Sequence, residues 1–283
     1  MILPSGVRMS VRIGPARPPN AERFEDITWT AFRRGDWLRE SAADGVPRDE
    51  WDHFVNYATF MDQAWYQDGL LAWRNLAWRD DERFQRARTA AERQAGFDYR
   101  IDWRTHVALW ASHLACRVGG DFMEIGTGRG WMAAAILEGV LGQDVTRRFF
   151  LVDMFKAAQV DPVTGERLDI KSPVYADGPE IVAPLRHAFS QVVVVEGDAG
   201  MTLPHLVRDV EQLAFVHFDL NAAESEATAF DIVHPRLVPG SVILIDDYGF
   251  RGFEDQQRRW DEIAARWDLN ILAVPTGQGL IVV

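Results

Sequence analysis

The chain has 283 residues, is 47% hydrophobic and carries a formal net charge of −12, which is room for one large α/β domain or a domain with a helical extension. The acidic balance argues against a nucleic-acid surface, which is normally basic, and no apolar run reaches the ~20 residues that span a bilayer. Cys116 is the only cysteine, so no internal disulfide can form and a cytoplasmic location is expected.

Residues 1–20 carry arginines where a signal peptide needs an unbroken apolar core, and read as a flexible or loosely docked arm. Residues 21–100 are expected to form a helical lid or cap. Eight of the eleven tryptophans lie in the first 110 residues, and 49–66 and 81–95 have helical apolar spacing. These aromatics either pack the helices onto the main domain or line an acceptor pocket, and an aromatic-rich segment could also support a homo-oligomer. A helix over 102–117 leads into the main domain, placed at 101–283. His106 and His113 on that helix read as packing or surface residues.

The stretch DFMEIGTGRGWMAAAIL, residues 121–137, reads as strand, glycine turn and helix. Glu124 ends the strand, and Gly126, Thr127, Gly128, Arg129 and Gly130 form the turn. Glycine permits a tight turn and close approach of a ligand. A dinucleotide fingerprint has G-x-G-x-x-G spacing; the G-x-G-x-G spacing here, after an acidic residue, fits the amino-acid tail of S-adenosylmethionine (SAM) better than a pyrophosphate. The bland alternative is a structural turn.

Further strands are expected at 149–152, 192–195, 214–218, 242–245, 271–274 and 280–283, with helices at 131–141, 201–212, 223–234 and 254–267 between them. Continuous apolar strands alternating with helices indicate a parallel sheet covered on both faces. The segment 154–180 reads as a long loop. The short TGQG connection between the last two strands demands an antiparallel pair. The expected fold class is therefore α/β, a Rossmann-like seven-stranded sheet ending in an antiparallel hairpin, an architecture that resembles the class I methyltransferase sheet.

Asp153 ends the second strand, where an acidic group can accept from ribose hydroxyls; the alternative is a turn or cap residue. Gly197 and Asp198 follow the third strand, placed either for adenine or as the N-cap of the next helix. Asp219, Asp246 and Asp247 end two strands that are neighbours in this fold. Three converging carboxylates repel unless they are protonated or bridged by a cation, and Mg²⁺ is the hard ion that suits an all-oxygen set. The alternative is a turn at Asp246–Asp247 and a cap at Asp219. His217 reads as a satisfied buried histidine. The hairpin turn Thr276–Gly279 is expected at the same end of the sheet, with Gln278 and Tyr248 beside the aspartates.

MEIGTGRG, FDLNAAESEATAFDIVHPRLVPGSVILIDDYG and VPTGQGLIVV together resemble macrocin-type (TylF-like) O-methyltransferases over roughly residues 104–283. The resemblance implies SAM- and Mg²⁺-dependent methylation of a hydroxyl on a small-molecule acceptor, a sugar or secondary metabolite. Asp219, Asp246 and Asp247 match the family's metal-binding aspartates, and Asp219 also matches its candidate base. The family commonly reads Asp-Gly-Asp-x-Tyr where this chain has Asp219-Leu220-Asn221-Ala222-Ala223, so the acceptor side differs. The competing readings are a nicotinamide-dependent oxidoreductase and a non-catalytic partner protein with the same fold.

Overall fold

A computed structural model describes residues 65–68, 70–72, 76–156, 158–160, 167–169 and 178–283. The arm at 1–20 and nearly all of the helix expected at 49–66 lie outside these. The end of that segment, Trp65 and Tyr66, is strand and not helix. Strand β1 (Trp65–Gln67) pairs antiparallel with β2 (Leu70–Ala72), both within the unit Met1–Leu76.

The second compact unit is Ala77–Val283. The boundary placed at 100/101 falls inside it, because helix α1 (Glu82–Ala95) belongs to the same unit as the sheet. Asp81 caps α1 by accepting from the Arg83 and Phe84 amides, and Gly96 ends it in the left-handed conformation. Phe84, Ala87, Ala91 and Ala95 form its buried stripe, whose small side chains let neighbouring helices approach closely. Helix α2 (Asp102–Ala115) starts with Asp102 fully buried, its carboxylate accepting from Arg79 and Arg88.

The main elements then alternate: β3 (Asp121–Ile125), α3 (Trp131–Ile136, continued by one wider turn to Leu141), β4 (Phe149–Asp153), α4 (Ala183–Ala188), β7 (Val192–Glu196), α5 (Ala199–Leu206), β8 (Leu213–Phe218), α6 (Ala223–Val233), β9 (Leu237–Ile245), α7 (Glu254–Trp267), β10 (Leu272–Ala273) and β11 (Gly279–Val282). The expected 154–180 loop instead holds an antiparallel pair, β5 (Ala158–Val160) with β6 (Arg167–Asp169). The helix expected at 201–212 spans only Ala199–Leu206 and contains Pro204, whose ring disfavours helix before it. Among the described residues, no helix is long and apolar enough to cross a membrane.

The main sheet has the order β10-β11-β9-β8-β3-β4-β7. β7, β4, β3, β8 and β9 are parallel, and β11 runs antiparallel to β9 and to β10. The seven strands and terminal hairpin thus follow the sequence pattern. From β3 the chain proceeds outward to β4 and β7, then crosses back to β8 and β9. The carboxyl end of β3 is therefore the switch point where a ligand crevice opens.

Alternation divides each strand between two cores. Phe122, Phe215, Val242 and Leu244 face one core with α1–α3; Met123, Ile125, Val216, Phe218, Ile243 and Ile245 face the other, with Phe230 of α6 and Trp260 of α7. Glu124, His217 and Asp246 are in phase with the first set. They bring a polar row to one face of the sheet at its carboxyl ends.

Gly126 fixes how the first turn meets this crevice. Its φ is +98°, and a Cβ there would lie 2.0 Å from the Asp219 carbonyl oxygen. Gly128 has φ +53°, with nothing within 4 Å of a Cβ. Replacing Gly126 by Ala therefore combines left-handed strain with a backbone clash and should cost about 3 kcal/mol or more. That corresponds to a fall of roughly 6–12 °C in Tm, measurable by thermal unfolding followed by circular dichroism, while Gly128→Ala should lose only about a third as much. Equal Tm values for Gly126→Ala and the parent would contradict the crossing.

Candidate active site

The crevice has a glycine-turn side and an acidic side. On the first, Asp153 at the end of β4 accepts from the Gly128 amide (2.7 Å) and the Phe155 amide (2.5 Å). It fastens the glycine turn while remaining partly exposed. Burial pushes its carboxyl above the ordinary range, and the Gly128 and Phe155 amides oppose that. The Gly197 amide donates to the Asp153 carbonyl at 2.8 Å, aligning the ends of β7 and β4. Asp198 precedes α5, but its side chain makes no capping bond to that helix.

Thr127 is buried with its Oγ1 unpartnered, and Glu124 is buried with Oε2 unpartnered. Such orphans are costly unless a ligand or water satisfies them. With the open space at Gly128, they fit a cofactor with donor groups, such as the ammonium of SAM. Arg129 lies on the turn, but its side chain leaves it. Nε donates to the Ala95 carbonyl at 2.6 Å, so the guanidinium caps the end of α1 and does not face the crevice. Trp131 packs edge-on to Tyr99 and donates to Thr105 Oγ1 at 3.0 Å, which is the packing role its place suggests.

The acidic side is built across four strands. Glu124 on β3 is paired in register with His217 on β8, and their side chains meet at 3.0 Å between Oε1 and Nδ1. His217 Nε2 lies 3.8 Å from Asp246 Oδ1. Gly279 pairs with Ile245, so Gln278 stands opposite Asp246 and its Nε2 donates to that same Oδ1 at 3.1 Å. Thr276 Oγ1 donates to Gln278 Oε1 at 2.9 Å. Gln278 thus borders the aspartates as the hairpin topology predicts. Tyr248 follows Asp247 in sequence, but its hydroxyl donates to Asp261 at 2.6 Å on α7.

Asp219, Asp246 and Asp247 each offer a carboxylate oxygen within 4.8 Å of the others. Around an octahedral Mg²⁺ with oxygens at about 2.1 Å, neighbouring ligand oxygens stand about 3 Å apart, so the three carboxylates would have to draw together to share such an ion. The all-oxygen donor set suits a hard divalent cation.

One residue at this centre has no counterpart in the sequence reading. Arg104 of α2 places Nη1 2.6 Å from Asp246 Oδ2 and 2.8 Å from Asp247 Oδ1, with its guanidinium 4.8 Å from the Phe250 ring centre. Its signal was periodicity: Arg104, Ala108, Ala111 and Ala115 share the buried face of α2, and a cation on such a face needs a buried partner.

The charges explain the titration of the site. Burial pulls His217 down, but the facing Asp246 and Glu124 carboxylates outweigh it and raise the imidazole to about 10. Burial pushes Asp246 up, but Arg104 and His217 outweigh it and hold the group at about 2. Asp219 is pushed well above the carboxylate range by burial and then by Asp246. Among the described residues, Arg104 and His217 are the cations that meet the carboxylates of Glu124, Asp246 and Asp247.

The loop carrying Asp219 is secured by a second residue that sequence reasoning missed. Glu226 in the first turn of α6 is fully buried; Oε1 accepts from the Leu220 amide at 3.1 Å and Oε2 from Trp260 Nε1 at 2.7 Å. Asn221 turns the chain with φ +54°, a conformation asparagine tolerates better than most residues.

Residues 123–248 match the model of a family described as a methyltransferase domain. Among solved structures, the O-methyltransferase NovP is similar, with 20% identity, 63% of this chain and 78% of that one covered, and a TM-score of 0.53. CalS11 is similar in two structures. In one, called TDP-rhamnose 3'-O-methyltransferase, identity is 18%, coverage 63% and 78%, and the TM-score 0.50. In the other, called calicheamicin methyltransferase, identity is 16%, coverage 98% of both chains, and the TM-score 0.51. At these identities the likeness shows the fold alone, one shared with these O-methyltransferases. No curated protein sequence matches the chain.

Glu226 gives the site a pH signature. Burial raises its carboxyl from 4.5 to about 7. Below pH 4.5 folded and unfolded chains both hold the proton; between 4.5 and 7 the unfolded chain releases it first, so this group lowers stability as pH rises. The difference of 2.5 units (7 − 4.5) corresponds to about 3 kcal/mol. Glu226→Gln removes the titration, so variant stability minus parent stability should rise by about that amount from pH 4.5 to 7 in chemical denaturation. Parallel stability profiles would contradict the assignment.

Proposed function

We propose that this chain is a SAM-dependent O-methyltransferase that acts on a hydroxyl of a small molecule with a divalent cation, Mg²⁺ by preference, held on Asp219, Asp246 and Asp247. The observation that carries the reading is the contact at Gly126. The turn suited to the cofactor and the backbone of the first aspartate are so close that a Cβ would not fit between them. Donor cradle and acid cluster are therefore one site.

In this reading Gly128, Thr127 and Glu124 receive the amino-acid tail, Asp153 the ribose, and Gly197–Asp198 the adenine. Asp153 can serve a ribose hydroxyl while bonded to the Gly128 amide, because a carboxylate has about four acceptor positions. Bound SAM supplies a sulfonium methyl for direct displacement, and a bound divalent cation supplies positive charge that lowers the pKa of an acceptor hydroxyl. The protein's own contribution is alignment and proton removal. Asp219, which matches the candidate base of the macrocin-type enzymes, is the group this reading assigns to accept the hydroxyl proton. Gln278 holds Asp246 in orientation by its hydrogen bond to Oδ1, and His217 adds positive charge 3.8 Å from the same oxygen.

The acceptor class follows from the resemblance to macrocin-type enzymes, with a sugar or secondary-metabolite hydroxyl as the first candidate. Ala223 stands where that family commonly has Tyr, so the acceptor side has room for a different group.

Incubation with methyl-labelled SAM and a panel of hydroxylated metabolites, including nucleotide sugars, tests the reading. Label should pass to oxygen, EDTA should reduce transfer at least about a hundredfold, and Asp246→Asn should do the same, as expected for loss of several kcal/mol of cation assistance. Undiminished transfer in EDTA removes the cation from the account. Binding of NAD in preference to SAM removes the methyltransferase reading itself.

A further inference from the structure

We propose that Arg104 is a built-in, displaceable counter-cation. Its Nη1 bridges one carboxylate oxygen each of Asp246 and Asp247, so that loading a divalent ion on those oxygens requires the guanidinium to withdraw. This rests on the reading of the three aspartates as a cation site.

The argument begins with Asp246. Its Oδ1 accepts from Gln278 and lies 3.8 Å from His217 Nε2, which leaves Oδ2 as the oxygen joined to Asp247 through Arg104. That oxygen lies 2.6 Å from Arg104 Nη1, and the same nitrogen lies 2.8 Å from Asp247 Oδ1. An ion held at about 2.1 Å by the same two oxygens competes with that nitrogen for them, and two positive centres on one pair of oxygens repel each other.

The backbone of α2 is unsuited to yielding. Ala108, Ala111 and Ala115 on the same face as Arg104 are fully buried, so the side chain moves and not the helix. Phe250 gives it a surface on which to pivot, since the guanidinium already lies 4.8 Å from the ring centre and a cation is attracted to an aromatic face. The arrangement lets the protein fold around clustered carboxylates before any ion is present, because an unpaired buried charge is strongly destabilising. Its consequence is weaker ion binding, since each ion must displace an existing ion pair.

Mn²⁺ binding, followed by loss of the free-ion electron paramagnetic resonance signal, tests this on the full chain. Arg104→Met should bind Mn²⁺ at least about tenfold more tightly than the parent. It should also have a lower Tm without Mn²⁺ and a larger rise in Tm with it. Removing an arginine that only braces the structure would loosen the carboxylates and weaken binding, so tighter binding separates the two roles. If Arg104→Met does not fold without Mn²⁺, Arg104→Gln, neutral but still able to donate to a carboxylate, carries the same comparison and should also bind more tightly. Asp219→Asn in either background should abolish the gain. Unchanged or weaker Mn²⁺ affinity in the neutral variants, with binding intact in the parent, overturns the role of Arg104 alone. Absence of Mn²⁺ binding from parent and variants alike overturns the cation site and this inference together.

Discussion

The constraint on which the site depends is an excess of buried negative charge at the carboxyl ends of adjacent strands. Glu124, Asp246 and Asp247 are almost wholly buried, and Asp219 lies beside them. Ionised carboxylates in such a place must be compensated or protonated. His217 lies between Glu124 and Asp246, Arg104 bridges Asp246 and Asp247, and Asp219 takes the remaining strain as a raised proton affinity. The terminal hairpin belongs to the same balance. By reversing direction beside β9 it brings Gln278 opposite Asp246, so the last strands orient a carboxylate as well as closing the sheet.

Most of the scaffold was legible in the sequence because it rests on local patterns. Continuous apolar runs marked the parallel strands, TGQG marked the hairpin, and the glycine spacing marked the first turn. The aspartates were legible because strand ends in this topology gather at one edge, so chain order places Asp219 beside Asp246 and Asp247. Less visible were choices of side-chain direction. Arg129 sits within the glycine turn, yet the Ala95 carbonyl at the end of α1 claims its guanidinium. Glu124 lies one residue before the end of β3, and pleat alternation turns one of its oxygens to His217.

Long-range partners were the least legible. Arg104 and the aspartates it joins are 142 and 143 residues apart, and only the helical phase of α2 marks it as inward. Glu226 reads in sequence as an ordinary acidic residue in a first helical turn. Its burial against Trp260 depends on how α6 and α7 pack, which periodicity does not specify. The 154–180 segment hides its short antiparallel pair because three-residue strands carry too little alternation to be read. Both helical anchors bear on the candidate cation site, one by charge and one by holding its loop, so much of what tunes that site lies outside its motif.

The central claim is that one crevice holds a sulfonium cofactor on the glycine turn and a divalent cation on the neighbouring aspartates. The most direct measurement is anomalous diffraction from crystals grown with S-adenosylhomocysteine and Mn²⁺. The account predicts a single strong anomalous peak within about 2.2 Å of oxygens from Asp219, Asp246 and Asp247, and a nucleoside whose ribose meets Asp153. A nucleoside bound there with no anomalous peak at the aspartates, and Arg104 still between Asp246 and Asp247, would contradict it.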